Sequence, residues 1–358
     1  ELEHIESPDG VDDAAYMSFF TGKIGSLSPD CVFSTVFYRI LSLACGVLEL
    51  RYVVWIAPGY NENNYSYQIN NDRDWIYVAD KQLYDYYGKR GLTNVKYLPI
   101  PCSGLIEVDQ PSHEEHTEAA VPVYDVSVIT PCTYPAGSIA DYMTLLRDST
   151  KGYLDGIVEA RKNDLNHNAM YSRFADYIKE DIKEHYPMTD DSYESPEMKY
   201  DNRVFFPHID RSFAIGYVLA LISMPEVMKL ALYTPSGFPY CNEKLDVILV
   251  DTLDEVIDCI SKTRLVVCIP PIQDGTELPL YVYRLIDMGY AVVMPDILDR
   301  DVTEEMCIPT FRNGNNYAKL INHYLSAEEE LNKLRNRQHE ALNNRRSSGV
   351  SASNLFDL

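Results

Sequence analysis

The chain is governed by one alternation: short apolar runs of strand length, each stopped by proline, glycine or a polar turn, separated by stretches of helical period. Runs at 31–35, 51–57, 74–79 and 94–101 read as four strands, with helices at 12–27, up to Gly46 and at 80–87 between them. After a polar stretch the pattern resumes with strands at 124–131, 229–234, 246–250, 264–270 and 290–295, and a last short one at 307–311. Helices are expected at 205–223, 252–262, 278–288, 313–324 and 327–342, and a long helical excursion occupies 138–186, followed by an acidic loop to 203. Strands that alternate with helices form parallel sheets, because a parallel partner is reached only by a crossover. Such sheets bind ligands beyond the carboxyl ends of their strands.

The acidic, proline-flanked stretch 103–122 is the best linker in the chain. With 358 residues, 46% of them hydrophobic, there is material for two cores rather than one. The expected organisation is α/β: a Rossmann-like domain over 1–120, a second over 121–326 carrying the excursion, and a closing helix with a loose tail over 327–358. No internal repeat is visible.

A formal charge of -23, spread along the chain, argues against nucleic acid and anionic membrane surfaces as partners. It leaves open a small anion held in a local pocket. The eight cysteines form no CxxC pair and none stands at zinc spacing with a histidine. A reducing, cytoplasmic compartment is therefore expected. No run approaches the roughly 20 apolar residues that span a bilayer. The chain opens at Glu1 without methionine, so further domains upstream are expected.

The order of these segments resembles the CgeB-like bacterial glycosyltransferases, the spore-maturation-protein type. The stretches that carry the resemblance are PDCVFSTVFYRILSLACGVLELRYVVWIAPG, WIYVADKQLYDYYGKRGLTNVKYLPIP, YDVSVITPCTY, LALYTPSG, DGTELPLYVYRLIDMGYAVVMPD and FRNGNNYAKLINHYLSAEEELNKLRNRQHEAL. Together they run through most of residues 29–342 in family order. The resemblance implies a GT-B fold: two Rossmann-like domains facing a cleft, acceptor on the first and nucleotide-sugar on the second. It implies hexose transfer to a glycan or protein-linked acceptor, no required metal or other cofactor, and a C-terminal helix crossing back to the first domain. The first strand and glycine-rich loop of the family's acceptor domain are missing here.

Several positions depart from the family pattern. Ala57 precedes Pro58 where an aspartate is usual, and Thr130-Pro131 replaces a glycine-containing turn. Tyr217 stands near the place of an expected arginine. Tyr281 takes another arginine position, and Arg284 takes that of the acid associated with the donor's ribose. A guanidinium only donates hydrogen bonds, so Arg284 cannot accept from a ribose hydroxyl, but one helical turn from Tyr281 it can serve a diphosphate. A reading without turnover, as a binding or scaffolding module of a larger assembly, stands beside the enzyme for this reason.

The donor-binding candidates are Thr130, Arg211, Tyr233, Thr234, Asp251, Thr252, Gly275, Thr276, Glu277 and Arg284. Tyr233 and Thr234 end one strand, and Asp251-Thr252 follow the next. Gly275, Thr276 and Glu277 precede the helix with Arg284, where backbone amides and the helix dipole favour a phosphate. Arg211 follows Asp210, which reads as a helix cap after Pro207. Two DxD patterns, Asp72 with Asp74 and Asp299 with Asp301, have the form of a divalent-ion motif, but each also suits an element boundary. Glu62, Asp72, Asp74 and His4 are the weak candidates for a general base. Tyr60, Tyr65 and Tyr67 share one loop and either stack on a sugar or pack in the fold.

Overall fold

In the computed structural model the described residues are 13–100, 122–130, 143–161, 170–235, 237–271, 275–296, 300–311 and 314–347. The linker expected at 103–122 lies, except for its last residue, outside them. The chain divides into two compact units, with the short segment Asp191–Glu194 belonging to the first.

The first unit runs α1 (Asp13–Leu27), β1 (Cys31–Ser34), α2 (Arg39–Val47), β2 (Arg51–Ile56), β3 (Asp74–Val78), α3 (Lys81–Gly88) and β4 (Val95–Tyr97). Its strands are all parallel, in the order β1-β2-β3-β4. β2 is apolar and buried from Tyr52 to Ile56 because both of its faces are covered there, as parallel sheets require. Tyr52, Val54, Ile56, Ile76 and Val78 face the helical layer of Ile24, Leu41, Cys45 and Tyr87. α3 starts where Asp80 accepts the amide of Leu83 at 2.7 Å, a cap of the kind its sequence suggests.

Asp191–Glu194 pairs with the tyrosine-rich loop. Tyr193 N donates to Tyr65 O at 2.7 Å, Ser192 bridges Ser66, and the Tyr86 hydroxyl donates to Tyr193 O at 2.5 Å. Tyr60 donates to the buried Glu194 at 3.1 Å. Tyr65 packs against Tyr60 and Tyr86, and Tyr67 against Tyr193. These tyrosines form a wall of the fold.

The second unit runs β5 (Tyr124–Ile129), α4 (Asp148–Arg161), α5 (Asp176–His185), α6 (Pro196–Tyr200), α7 (Phe206–Ile222), β6 (Leu230–Thr234), β7 (Leu245–Leu249), α8 (Val256–Cys259) and β8 (Thr263–Cys268). It closes with α9 (Leu280–Asp287), β9 (Val292–Pro295), α10 (Arg300–Glu305), β10 (Thr310–Phe311), α11 (Gly314–Ser326) and α12 (Glu328–Ser347). Six parallel strands lie in the order β10-β9-β8-β5-β6-β7. Val126, Val128, Leu230, Leu232, Leu265, Val267 and Val293 join one large core with α7 and α11. β6 and β9 are buried at every position, so the sheet is covered on both faces there, while the edge strand β7 is largely exposed.

Three expectations are corrected. The helix carrying Asp210 does not begin there: it starts at Pro196, where Ser195 accepts the amide of Met198 at 3.3 Å, and continues through a wider turn at Asp201–Phe205 into α7. The wider turn lengthens the hydrogen-bonding step just before Pro207, which accommodates a residue without an N–H. Asp210 is therefore a buried mid-helix residue and not a cap. Second, the acidic loop expected to reach 203 ends at Ser195, where the helix Pro196–Ile222 begins; that helix has a mean hydropathy of only 1.2 over its most apolar window, and no clear membrane span is present among the described residues. More than half of its most apolar window is buried against the sheet. Its buried Lys199 donates to Thr189 O at 2.5 Å, and its buried Asp201 accepts from Met170 and Tyr171 amides. Third, the final helix does not stop at Leu342 but continues to Ser347, where Arg345 and Arg346 reach acidic partners.

Candidate functional site

Counted in chain order, the six strands of the second sheet run 3-2-1-4-5-6, the doubly wound order of dinucleotide-binding folds. β5 is the first strand; the chain winds outward through β6 and β7, then returns to the other side of β5 with β8. The strand order therefore reverses between β5 and β8, and doubly wound sheets bind ligands beyond the carboxyl ends of the strands at such a switch point. That switch point is the candidate site, and it lies within the second unit alone.

Thr130 follows β5 directly and is buried, its amide donating to Tyr233 O at 3.1 Å. Ile269 N in turn donates to Ile129 O at 2.9 Å, so the ladder is intact up to the switch point. Beyond β8, in the connection to α9, Gly275 takes a φ of 81°, a left-handed conformation that glycine adopts without the steric cost of a Cβ. Thr276 follows, half-buried. Pro131 and 132–142, and 272–274 with Asp274, lie outside the described residues.

The remaining candidates divide by placement. Thr234 is fully buried at the end of β6, on the face of the sheet that carries Leu230 and Leu232. Tyr233 is fully buried and its hydroxyl accepts from Ser261 N at 2.9 Å, which ties β6 to the turn before β8. Asp251 and Thr252 are exposed, with Glu255 reaching back to accept from Asp251 N at 3.1 Å. Arg211 is half-buried on α7 beside His208, whose imidazole is held below its ordinary pKa by burial and then by the arginine's charge.

Glu277 is bound inward. Its carboxylate accepts from Leu278 N at 3.0 Å, from the Tyr283 hydroxyl and from Arg345 at 2.8 Å. Burial raises its pKa, and Arg345 opposes that shift. Arg284 lies in the last turn of α9 with its Nε buried and unbonded, and its charge acts on Asp254. Asp254 accepts from the Tyr281 amide near the start of α9, and burial raises its pKa more than these two partners lower it. Sequence reasoning missed both Asp254 and Arg345. An acid ahead of a helix and a basic pair at the end of another were the visible signals.

Of the two DxD patterns, Asp72 is exposed while Asp74 points inward, accepting from Ser42 at 2.6 Å and from Asn71 at 3.3 Å. One buried and one exposed carboxylate do not form a shared ion seat. Asp299 lies outside the described residues, as does His4. Glu62 is exposed in a short helical turn at Glu62–Tyr65. Among the described residues one group, Asp181, Glu184 and His185, brings three metal-ligating atoms close together, but Arg147 already lies 3.5 Å from both carboxylates. Six cysteines, at 31, 45, 241, 259, 268 and 307, are free thiols.

No protein-family profile and no curated protein matches this sequence. Among solved structures the chain is similar to sucrose-phosphate synthase from Thermosynechococcus elongatus, at 8% identity and TM-score 0.48, covering 96% of this chain and 75% of that one. It is also similar to Arabidopsis thaliana UGT89C1 complexed with quercetin, at 8% identity and TM-score 0.41, covering 96% and 74%. MurG of Acinetobacter baumannii matches at 10% identity and TM-score 0.37, over 94% and 77%. These likenesses transfer no residue role to this chain.

Proposed function

We propose that the second unit binds the nucleoside diphosphate part of a nucleotide-sugar at its switch point, and that the chain is a GT-B-type hexosyltransferase of the CgeB-like kind. The observation that carries the reading is the 3-2-1-4-5-6 strand order, with Thr130 directly after β5 and Gly275-Thr276 in the connection after β8, the two strands between which that order reverses. Fully wound sheets of this kind place phosphates there, against backbone amides at loop and helix starts. In this reading Thr130, Thr234, Thr276 and Arg211 meet the donor, and Arg284 supplies the charge for the diphosphate. A glycan or glycoprotein is the acceptor, the reaction needs no metal, and the protein works in the cytoplasm.

A second reading, a nucleotide-binding or scaffolding module without turnover, is favoured by one observation. Glu277 and Tyr233 spend their polar groups inside the fold, and the position that resembles the family's arginine is Tyr281. Calorimetric titration with UDP, GDP and dTDP and their hexose conjugates separates the readings. Saturable binding with release of free hexose supports the transferase, whereas binding without any turnover supports the module. Silence across the whole panel refutes the transferase and favours a scaffolding module. Arg284→Ala is expected to weaken nucleotide binding at least tenfold; an unchanged affinity removes Arg284 from the site.

A further inference from the structure

Arg345 and Arg346 are neighbours in the last turn of α12, and each ends on a buried carboxylate at a different end of α9. Arg345 reaches Glu277 at 2.8 Å and Glu305 at 3.1 Å. Arg346 reaches Asp287, the last residue of α9, at 2.8 Å. Glu277 is only 3% exposed, and the Arg345 guanidinium also lies 5.3 Å over the ring of Tyr283, whose hydroxyl donates to that same carboxylate. The last turn of α12 therefore holds the approach to α9 and its exit together.

The position of Glu277 gives this contact its meaning. Gly275 and Thr276, in the connection that follows β8 at the switch point, immediately precede it, and α9 begins only at Leu280. The stretch 275–278 lies outside any strand or helix, so no ladder of backbone bonds fixes it. A carboxylate buried to this degree is unfavourable without a charged partner, and removing that partner is strongly disruptive. α9 does not need the acid for its first turn, since Glu277 stands two residues ahead of the capping position, Pro279. Its carboxylate instead receives a cation brought from 68 residues further along the chain.

We propose that Arg345 is a positioning residue: by anchoring Glu277 it sets segment 275–278 in the place where the backbone of Gly275 and Thr276 meets a nucleoside diphosphate. This rests on the nucleotide-binding reading above, and the test reads the two separately. Arg345→Met keeps the stem and loses the charge; Arg345→Lys keeps a charge but loses the two-armed geometry.

Amide hydrogen exchange on the full chain is expected to quicken at least tenfold over 275–278 in Arg345→Met, with α11 unchanged. Affinity for UDP, GDP or dTDP, whichever binds the wild type, is expected to fall about tenfold. Arg345→Lys should recover part of both effects. Unchanged exchange at 275–278 in a folded Arg345→Met overturns the anchor. Quickened exchange with undiminished nucleotide affinity overturns the positioning role. If the wild type binds none of the three nucleotides, the functional reading fails and the anchor stands or falls on exchange alone. Should Arg345→Met not fold, Glu277→Gln carries the same comparison, since it removes the charge from the other side.

Discussion

Gln338 is fully buried in α12, and its amide occupies a rung of the sheet that no strand supplies. Its Oε1 accepts from Val292 N at 3.0 Å and its Nε2 donates to Val292 O at 2.7 Å. The next rung of β9 in that direction is regular, with Met294 N donating to Pro309 O at 3.1 Å. β10 starts too late to reach Val292, because Cys307 turns the chain through a φ of 54° and Ile308 N is committed to Thr303 O. A side-chain amide matches a peptide group in having one donor face and one acceptor face, so glutamine is the residue that completes the ladder.

Gln338→Leu keeps the approximate volume and strands a buried N–H and a buried C=O. Each unsatisfied group costs about 1 to 3 kcal/mol, so a loss of roughly 3 kcal/mol is expected, a large share of a typical net stability. Urea denaturation followed by far-UV circular dichroism measures it, with the exposed Asn332→Ala as a control expected to stay within about 0.5 kcal/mol. Both tryptophans, Trp55 and Trp75, lie in the first sheet, so their fluorescence reports that unit separately. Gln338→Glu should be more stable near pH 4 than at pH 7, since only the protonated carboxyl can both donate and accept. A loss below about 1 kcal/mol for the leucine variant would refute the claim that the amide completes the sheet.

Gly275→Ala forces a Cβ into a left-handed backbone and should cost about 1 kcal/mol while weakening nucleotide binding, as measured by thermal melting and titration. For Asp74, burial raises the folded pKa to about 6 from an unreacted 3.8, with Ser42 and Asn71 opposing the shift. The folded state thus holds its proton more tightly: the linked stability is present in full below pH 3.8 and is lost as pH rises through 6. Relative to Asp74→Asn, the wild type should lose about 2 to 3 kcal/mol between pH 4 and 7, and parallel stability curves would count against it. Nucleotide binding and any hexose release should be unaffected by EDTA, and a requirement for added divalent ions would end the metal-independent reading.

The fold was legible because its signals are local and repeated. Apolar runs such as Tyr52 to Ile56 and Leu230 to Tyr233 can be buried on both faces only in a parallel sheet, and the helices between them follow from crossover geometry. What escaped were features set by contacts distant in sequence. The start of the helix at Pro196 looked like part of an acidic loop, because Lys199 and Asp201 read as solvated until Thr189 O and the Met170 and Tyr171 amides come to meet them. Arg345 and Arg346 looked like a tail for the same reason: their partners lie some 60 residues back. Tyr233 was correctly placed at a strand end, yet period two decides only which face a side chain takes, and Ser261 decides what its hydroxyl does there.

These distant contacts bear on function because they draw on the charges that a diphosphate would need. The chain is strongly acidic, so any site for a multivalent anion must create positive potential locally and keep its own acids from cancelling it. In the proposed site this would be done by pairing: Glu277, next to Gly275 and Thr276, is buried and ion-paired with Arg345. Asp254 accepts from the Tyr281 amide within the field of Arg284. With these acids matched, the proposed site would draw its positive potential from Arg284, Arg211 and the amides of 275–276. An acidic protein can hold a sugar diphosphate only if such local pairing survives when the ligand arrives, which is why the anchor at Arg345 and the affinity at the switch point should change together.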